Sequence, residues 1–142
     1  MILKRVVVTG LGALTPIGNT LPEFWEGLKR GDSGAAPITR FDPTQFKTKF
    51  ACEVKNFDVG NFMDRKEARK MDPFAQYAMV AVDEAVKDAN LPLQEINPNR
   101  VGVISGSGSG GLLTFQEEVK SYAKGDGTPR FNPFFIPKMI PD

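Results

Sequence analysis

Two apolar runs, each stopped by glycine, constrain what this chain can fold into more than any other feature. Leu3 to Thr9 is a continuous Val-rich segment ending at Gly10, and Val101 to Ser105 runs into Gly106-Ser107-Gly108-Ser109-Gly110-Gly111. A strand with one wet face alternates apolar and polar residues, whereas an unbroken apolar run fits a strand covered on both faces, as in an α/β sheet. Helical signals occur between and after the runs. Thr20-Leu21-Pro22-Glu23 has capping-box spacing, Leu21, Phe24, Trp25 and Leu28 form one stripe, and Gly31 stands at the stop position. Asp72 is expected to cap a helix opening at Pro73, whose apolar face is Phe74, Tyr77, Ala78, Ala81, Val82, Ala85, Val86 and Ala89, before Asn90 and Pro92 end it. Its alanines predict close packing against a neighbour. A third helix is expected from about Leu112 to Ala123. Residues 32–64 show no sustained period and read as an irregular excursion with a short strand at Phe50 to Val54. The expected order is β-α-α-β-α, without repeats or an internal linker.

Two candidate parallel strands make a poor sheet, since ~4–6 strands is usual. The stretch from Phe131 to Asp142 is aromatic and proline-punctuated, with no element expected after it. The sequence therefore reads as residues 1–142 of one incomplete domain, interrupted before its sheet is finished.

Composition narrows the chemistry. The 142 residues include no histidine, the usual general acid, general base or metal ligand near neutral pH. The single cysteine, Cys52, cannot form an intramolecular disulfide and has no histidine to activate it; in Phe50-Ala51-Cys52-Glu53-Val54 it reads as a small structural hydrophobe. No zinc-ligand spacing exists, so no metal or cofactor is expected. Lys plus Arg, 18, nearly balances Asp plus Glu, 17, which argues against nucleic acid or an anionic membrane as partner. The N-terminus lacks a signal-peptide pattern, and no apolar run reaches membrane-spanning length, so a cytoplasmic location is expected.

Two local patterns carry candidate function. Gly106, Gly108 and Gly111 satisfy G-x-G-x-x-G, but the carboxylate at the right distance to hold a ribose, Asp126, lies in the turn Gly125-Asp126-Gly127-Thr128-Pro129 with no strand before it. A structural turn using positive φ and close backbone approach is the preferred reading, with a nucleotide-binding module as the lesser alternative. Arg65, Lys66, Arg69 and Lys70 would share one helical edge and could meet an acidic partner; Asp64, Glu67 and Asp72 dilute the patch, and a merely solvated face is the competing reading.

Read together, Arg5-Val6-Val7-Val8-Thr9-Gly10-Leu11-Gly12 with Thr15-Pro16-Ile17-Gly18-Asn19, Arg65-Lys66-Glu67-Ala68-Arg69-Lys70-Met71-Asp72, the glycine run 106–111 and Pro133-Phe134-Phe135-Ile136-Pro137 resemble, in order and spacing, the elongating β-ketoacyl-acyl-carrier-protein synthases of bacterial fatty-acid synthesis. The resemblance covers essentially the whole chain. It implies the N-terminal portion of a thiolase-like, layered α/β/α fold, usually homodimeric, that performs decarboxylative Claisen condensation with malonyl-acyl-carrier-protein. It also implies that the nucleophilic cysteine follows shortly after residues 137–142, with two histidines much later, so this chain would hold no catalytic residue. By the same resemblance Gly108, Ser109 and Phe134 belong to the acyl pocket, Phe134 also to the subunit interface. Lys66, Arg69 and Lys70 belong to the docking surface for acyl carrier protein. Ser109 departs from the family, where a larger apolar residue often gates the pocket. A stand-alone carrier-protein-binding module without catalysis is the other reading kept open.

Overall fold

A computed structural model describes residues 4–140, which divide into two compact units: residues up to 57 with 80–91, and residues 58–79 with 92 onward.

In the first unit, α1 (Leu21–Arg30) begins and ends where its sequence signals stand. The Thr20 hydroxyl accepts the Glu23 N–H at 3.4 Å, and Gly31 closes the helix at φ 73°. The reciprocal half of the capping box shifts by one residue, because the Glu23 carboxylate accepts the N–H of Asn19 at 2.8 Å. The expected apolar stripe is only partly covered: Phe24 is half-buried, but Trp25 and Leu28 are exposed and Gly27 is the buried residue. The irregular excursion holds a minimal antiparallel ladder, β1 (Ala36–Pro37) with β2 (Phe50–Ala51), in the register Ala36 to Ala51 and Pro37 to Phe50. Beside it the Thr39 hydroxyl donates to Glu53 at 2.6 Å, which holds the Glu53 carboxyl below its ordinary pKa. Cys52 lies here exposed, which corrects its expected apolar setting.

Residues 80–88, the C-terminal part of helix α3 (Pro73–Asp88), organise this unit. Ala81, Ala85 and Ala89 present a flat surface on which Gly10 and Gly12 lie. A Cβ on Gly12 would stand 2.8 Å from the Ala85 nitrogen, and one on Gly10 2.7 Å from the Ala89 Cβ. The alanines do pack closely, and against glycine. The same helix fastens the loop by its carboxylates. Glu84 accepts the N–H groups of Ala13 at 2.8 Å and Leu21 at 2.7 Å, and Asp88 accepts that of Leu11 at 2.9 Å. Leu21 is the first residue of α1, so Glu84 satisfies one of its otherwise unpaired N–H groups and places negative charge at the positive helix end. Asn90, at φ 48°, ends the helix run as expected.

The second unit holds a 3₁₀ turn Val59–Asn61, the short helix α2 (Arg65–Ala68), the first residues of α3, a 3₁₀ turn Pro98–Arg100, α4 (Leu112–Lys124) and α5 (Phe135–Met139). α5 was not foreseen in the sequence. Phe135 of α5 stacks on Phe115 at 6.3 Å and on Phe131 at 5.6 Å, and Phe131 in turn meets Tyr122, tilted, at 5.7 Å.

Two further expectations fail. Neither the Val-rich N-terminal run, whose Leu3 lies outside the described residues, nor Val101 to Ser105 forms a strand. Both are exposed, Val6 at 91% and Ile104 at 100%. An apolar run supplies the covered faces of a strand but not its ladder, and among the described residues no neighbouring backbone pairs with either run. The second failure concerns Asp72, whose carboxylate is turned away from its own helix, as described below.

Replacing Glu84 by Ala should lower stability by about 2 kcal/mol in urea unfolding of the full-length protein, the value of charge-assisted hydrogen bonds at a half-buried site. A loss under about 0.5 kcal/mol would mean the loop is held without it. Gly12→Ala should cost about 1–3 kcal/mol through the clash with α3, whereas Gly102→Ala, which meets open space, should be nearly neutral. Equal effects would contradict the packing.

Candidate functional site

The second unit gathers most of the residues singled out from the sequence. α2 starts at Asp64, whose carboxylate accepts the N–H groups of Lys66 at 2.7 Å and Glu67 at 3.4 Å. The helix proper stops at Ala68, yet Arg69 keeps helical angles, φ −66° and ψ −19°, and the turn continues to Lys70, whose N–H reaches the Glu67 carbonyl at 3.0 Å. The predicted cationic edge therefore exists as one helical turn and its extension. Arg65, Lys66, Arg69 and Lys70 are all exposed. Lys70 pairs with Glu67 at 2.7 Å and Arg65 with Asp58 at 3.8 Å, while among the described residues no carboxylate lies within 4.0 Å of Lys66 or Arg69.

Two side-chain devices hold this turn. Ala68 is buried on its inner side, and the Gln76 amide donates to the carbonyls of Ala68 at 2.9 Å and Met71 at 3.3 Å, closing the α2 end with a residue of α3. Val59, Arg65, Ala68, Arg69 and Gln76 line a shallow groove along it. Gln76 is a residue the sequence reading missed; on α3 it looked only like a polar position among apolar ones.

The glycine-rich turn lies in the same unit. Gly108 and Ser109 form an exposed bend, and an added Cβ on Gly106 or Gly108 would meet nothing within 4 Å. The constrained glycines are the last two. A Cβ on Gly110 would fall 2.7 Å from the Phe74 ring, and Gly111 takes φ 69° with Met139 of α5 pressed against it. The structural reading of the turn is thus located at Gly110 and Gly111, and Gly106 and Gly108 of the G-x-G-x-x-G pattern contribute neither positive φ nor close contact. Asp126 is engaged locally: its carboxylate accepts the Thr128 N–H at 2.9 Å, which with the Thr128 hydroxyl holds its pKa low, and it meets Arg130 at 3.4 Å.

Gly111 precedes α4 and has no side chain with which to cap it. Asp72 supplies the cap from a distance of 42 residues: its Oδ2 accepts the Thr114 N–H at 3.2 Å and the Thr114 hydroxyl at 2.7 Å. Thr114 is the third residue of α4, the position whose N–H a capping side chain normally satisfies. Asp72 is 4% exposed and Thr114 8%. So Asp72 does cap a helix, but α4; its own helix starts with the Asp72 carbonyl accepting from Ala75 and Gln76.

Phe134 stands just before α5, 41% exposed, its N–H bound to the Asn132 side chain at 2.8 Å, and outside the ring stack formed by its neighbours. Since α5 ends against Gly111, the turn and the helix that Phe134 opens are direct neighbours. Among the described residues no cluster of three potential metal ligands occurs, and no helix is long and apolar enough to cross a membrane.

The architecture is shared with solved ketosynthases. One is the ketosynthase of a complex with a type II PKS acyl-carrier protein, bound to the hexaketide: TM-score 0.78 at 28% identity, over 99% of this chain and 37% of that one. A β-ketoacyl synthase from Burkholderia phymatum matches at TM-score 0.74 and 27% identity, over 98% of this chain and 34% of that one. Sequence similarity is higher. The 3-oxoacyl-[acyl-carrier-protein] synthase 2 of Synechocystis is 48% identical over 96% of this chain and 33% of its own length. The protein of the same description from Staphylococcus aureus strain COL is 48% identical over 98% of this chain and 33% of its own. The chain thus spans about a third of the length of these relatives. The family model described as β-ketoacyl synthase, N-terminal domain, matches residues 3–141, and the chain belongs to that family, with the thiolase-like fold its structural neighbours display.

Proposed function

We propose that these 142 residues are the N-terminal part of the ketoacyl synthase domain of a cytoplasmic, homodimeric 3-oxoacyl-acyl-carrier-protein synthase of fatty-acid elongation. In that reaction a cysteine thiolate takes the acyl group from a carrier thioester and releases the carrier thiol. Malonyl-carrier protein then loses carbon dioxide, and the resulting carbanion attacks the acyl-enzyme, forming the new carbon–carbon bond and freeing the thiolate. The chain's own contribution is recognition. The observation that carries the reading is that one compact unit holds both an exposed cationic turn and a glycine-rich bend, in a chain 48% identical to enzymes of this description.

Lys66, Arg69 and Lys70 are assigned to docking of the acidic acyl carrier protein. Exposed charge pairs are worth only about 0.2–1 kcal/mol each, so their effect is on association and is shared among them. Gly108, Ser109 and Phe134 are assigned to the acyl pocket. Ser109, small and on an exposed bend, leaves room that a bulkier side chain would occupy.

In the full-length protein, Arg69→Glu with Lys70→Glu should raise KM for carrier-borne substrates, most at low salt because screening acts over ~10 Å at 0.1 M. Small thioesters without the carrier should be used nearly as before. Equal slowing of both substrates, or no dependence on salt, would make the cluster a solvated face. Ser109→Phe should depress use of long acyl chains more than short ones; equal loss across lengths would remove Ser109 from the pocket. The 142-residue polypeptide alone should show no condensation, since it has no histidine and no activated cysteine; turnover in a purified sample, unchanged by Cys52→Ser, would contradict the placement of the chemistry elsewhere.

A further inference from the structure

We infer that Asp72 is a positioning residue for acyl-chain selection: by capping α4 through Thr114 it fixes the bend that carries Gly108 and Ser109. The inference deepens the proposed function and rests on its assignment of that bend to the acyl pocket.

Three observations support it. The Asp72 carboxylate is buried, and it receives both the N–H and the hydroxyl of Thr114, at 3.2 and 2.7 Å. Burial of a carboxylate carries a desolvation cost that a surface turn would not require, so the group is held there by donors on α4. Next, the two residues joining the bend to α4 cannot anchor themselves. Gly111 offers no capping side chain and rests against Met139 of α5, and the atoms nearest a Cβ on Gly110 would be those of the Phe74 ring. Phe74 and Asp72 are two residues apart, so one short stretch grips the bend through packing and the helix behind it through hydrogen bonds. Third, the neighbouring Gln76 binds the carbonyls of Ala68 and Met71, so this stretch is itself tied to the α2 turn rather than free to follow α4.

Loss of the cap should therefore release α4's first turn and the bend together, widening the range of side-chain positions open to Ser109. A pocket wall that moves discriminates less between acyl chains, while the cationic turn, held separately by Gln76 and Asp64, keeps its place. The expected signature is loss of selectivity without loss of carrier recognition.

The test uses the full-length protein and compares kcat/KM for long-chain and short-chain acyl-carrier substrates, a ratio independent of how much of a preparation is folded. Thr114→Val keeps the N–H bond and removes the hydroxyl bond. It should move the ratio toward one by up to about tenfold, the ceiling reached if the whole free energy of one net hydrogen bond is expressed in the discrimination. Thr114→Ser should restore it to within about twofold, and Asp72→Ala should change it at least as much as Thr114→Val. Because Thr114→Val removes one of the two bonds that Asp72→Ala removes, the double variant should be no worse in this ratio than Asp72→Ala alone. KM for the carrier-borne substrates should change little in the Thr114 variants. An unchanged ratio in Thr114→Val and Asp72→Ala, with only a lower melting temperature, would overturn the inference and leave Asp72 a stabilising cap. If Ser109→Phe shifts the ratio under those conditions, the pocket assignment survives and the positioning role alone fails. If Ser109→Phe also leaves it unchanged, the bend is not part of the pocket and the inference fails with that assignment. A full-length protein that forms no β-ketoacyl product would remove the proposed function itself.

Discussion

A carboxylate that caps a helix 42 residues away is the interaction on which the second unit depends. Helix α4 begins at a glycine in the left-handed conformation, and such a start leaves its first N–H groups without a local acceptor. Asp72 provides one from the start of α3, and with it come the Phe74 contact to Gly110 and the Gln76 bonds to the end of α2. Five residues, 72–76, thus touch both the end of α2 and the segment that leads into α4.

The first unit follows the same logic with other residues. Glycines approach alanines where side chains would collide, and Glu84 and Asp88 collect backbone N–H groups from the loop at Leu11 and Ala13 and from the first residue of α1. In both units acidic side chains on or beside α3 do what a sheet ladder would otherwise do for backbone polar groups.

Local signals in the sequence were legible where the cause was local. Thr20 and Gly31 bound α1 and Asn90 ends the α3 run, because each acts through its own backbone angles or its nearest N–H groups. What required a distant partner was not legible. Asp72 before Pro73 looks like a cap for α3, and nothing in sequence shows that its acceptor is spent on Thr114. The Val-rich run and Val101 to Ser105 have strand composition, but pairing is a property of two segments, and the described residues supply no second one. α5 was hidden by Pro137 and by rings whose stacking with Phe115 appears only in three dimensions. Lys66, Arg69 and Lys70 are legible as a charge run and Gly108 as part of a glycine pattern, whereas Ser109 and Phe134 rest on the family resemblance alone; the structure adds Gln76 at the end of α2 and Gly110, Gly111 and Thr114 at the start of α4.

The central claim is that these residues serve a carbon–carbon bond-forming condensation on carrier-bound acyl groups. Mass spectrometry of the carrier protein after incubating the full-length protein with acyl- and malonyl-acyl-carrier-protein tests it most directly. The account predicts a carrier bearing a β-ketoacyl chain longer by the two malonyl-derived carbons, formed with release of carbon dioxide. Acyl-carrier protein that is merely hydrolysed, or recovered unchanged alongside intact malonyl-carrier protein, would contradict it.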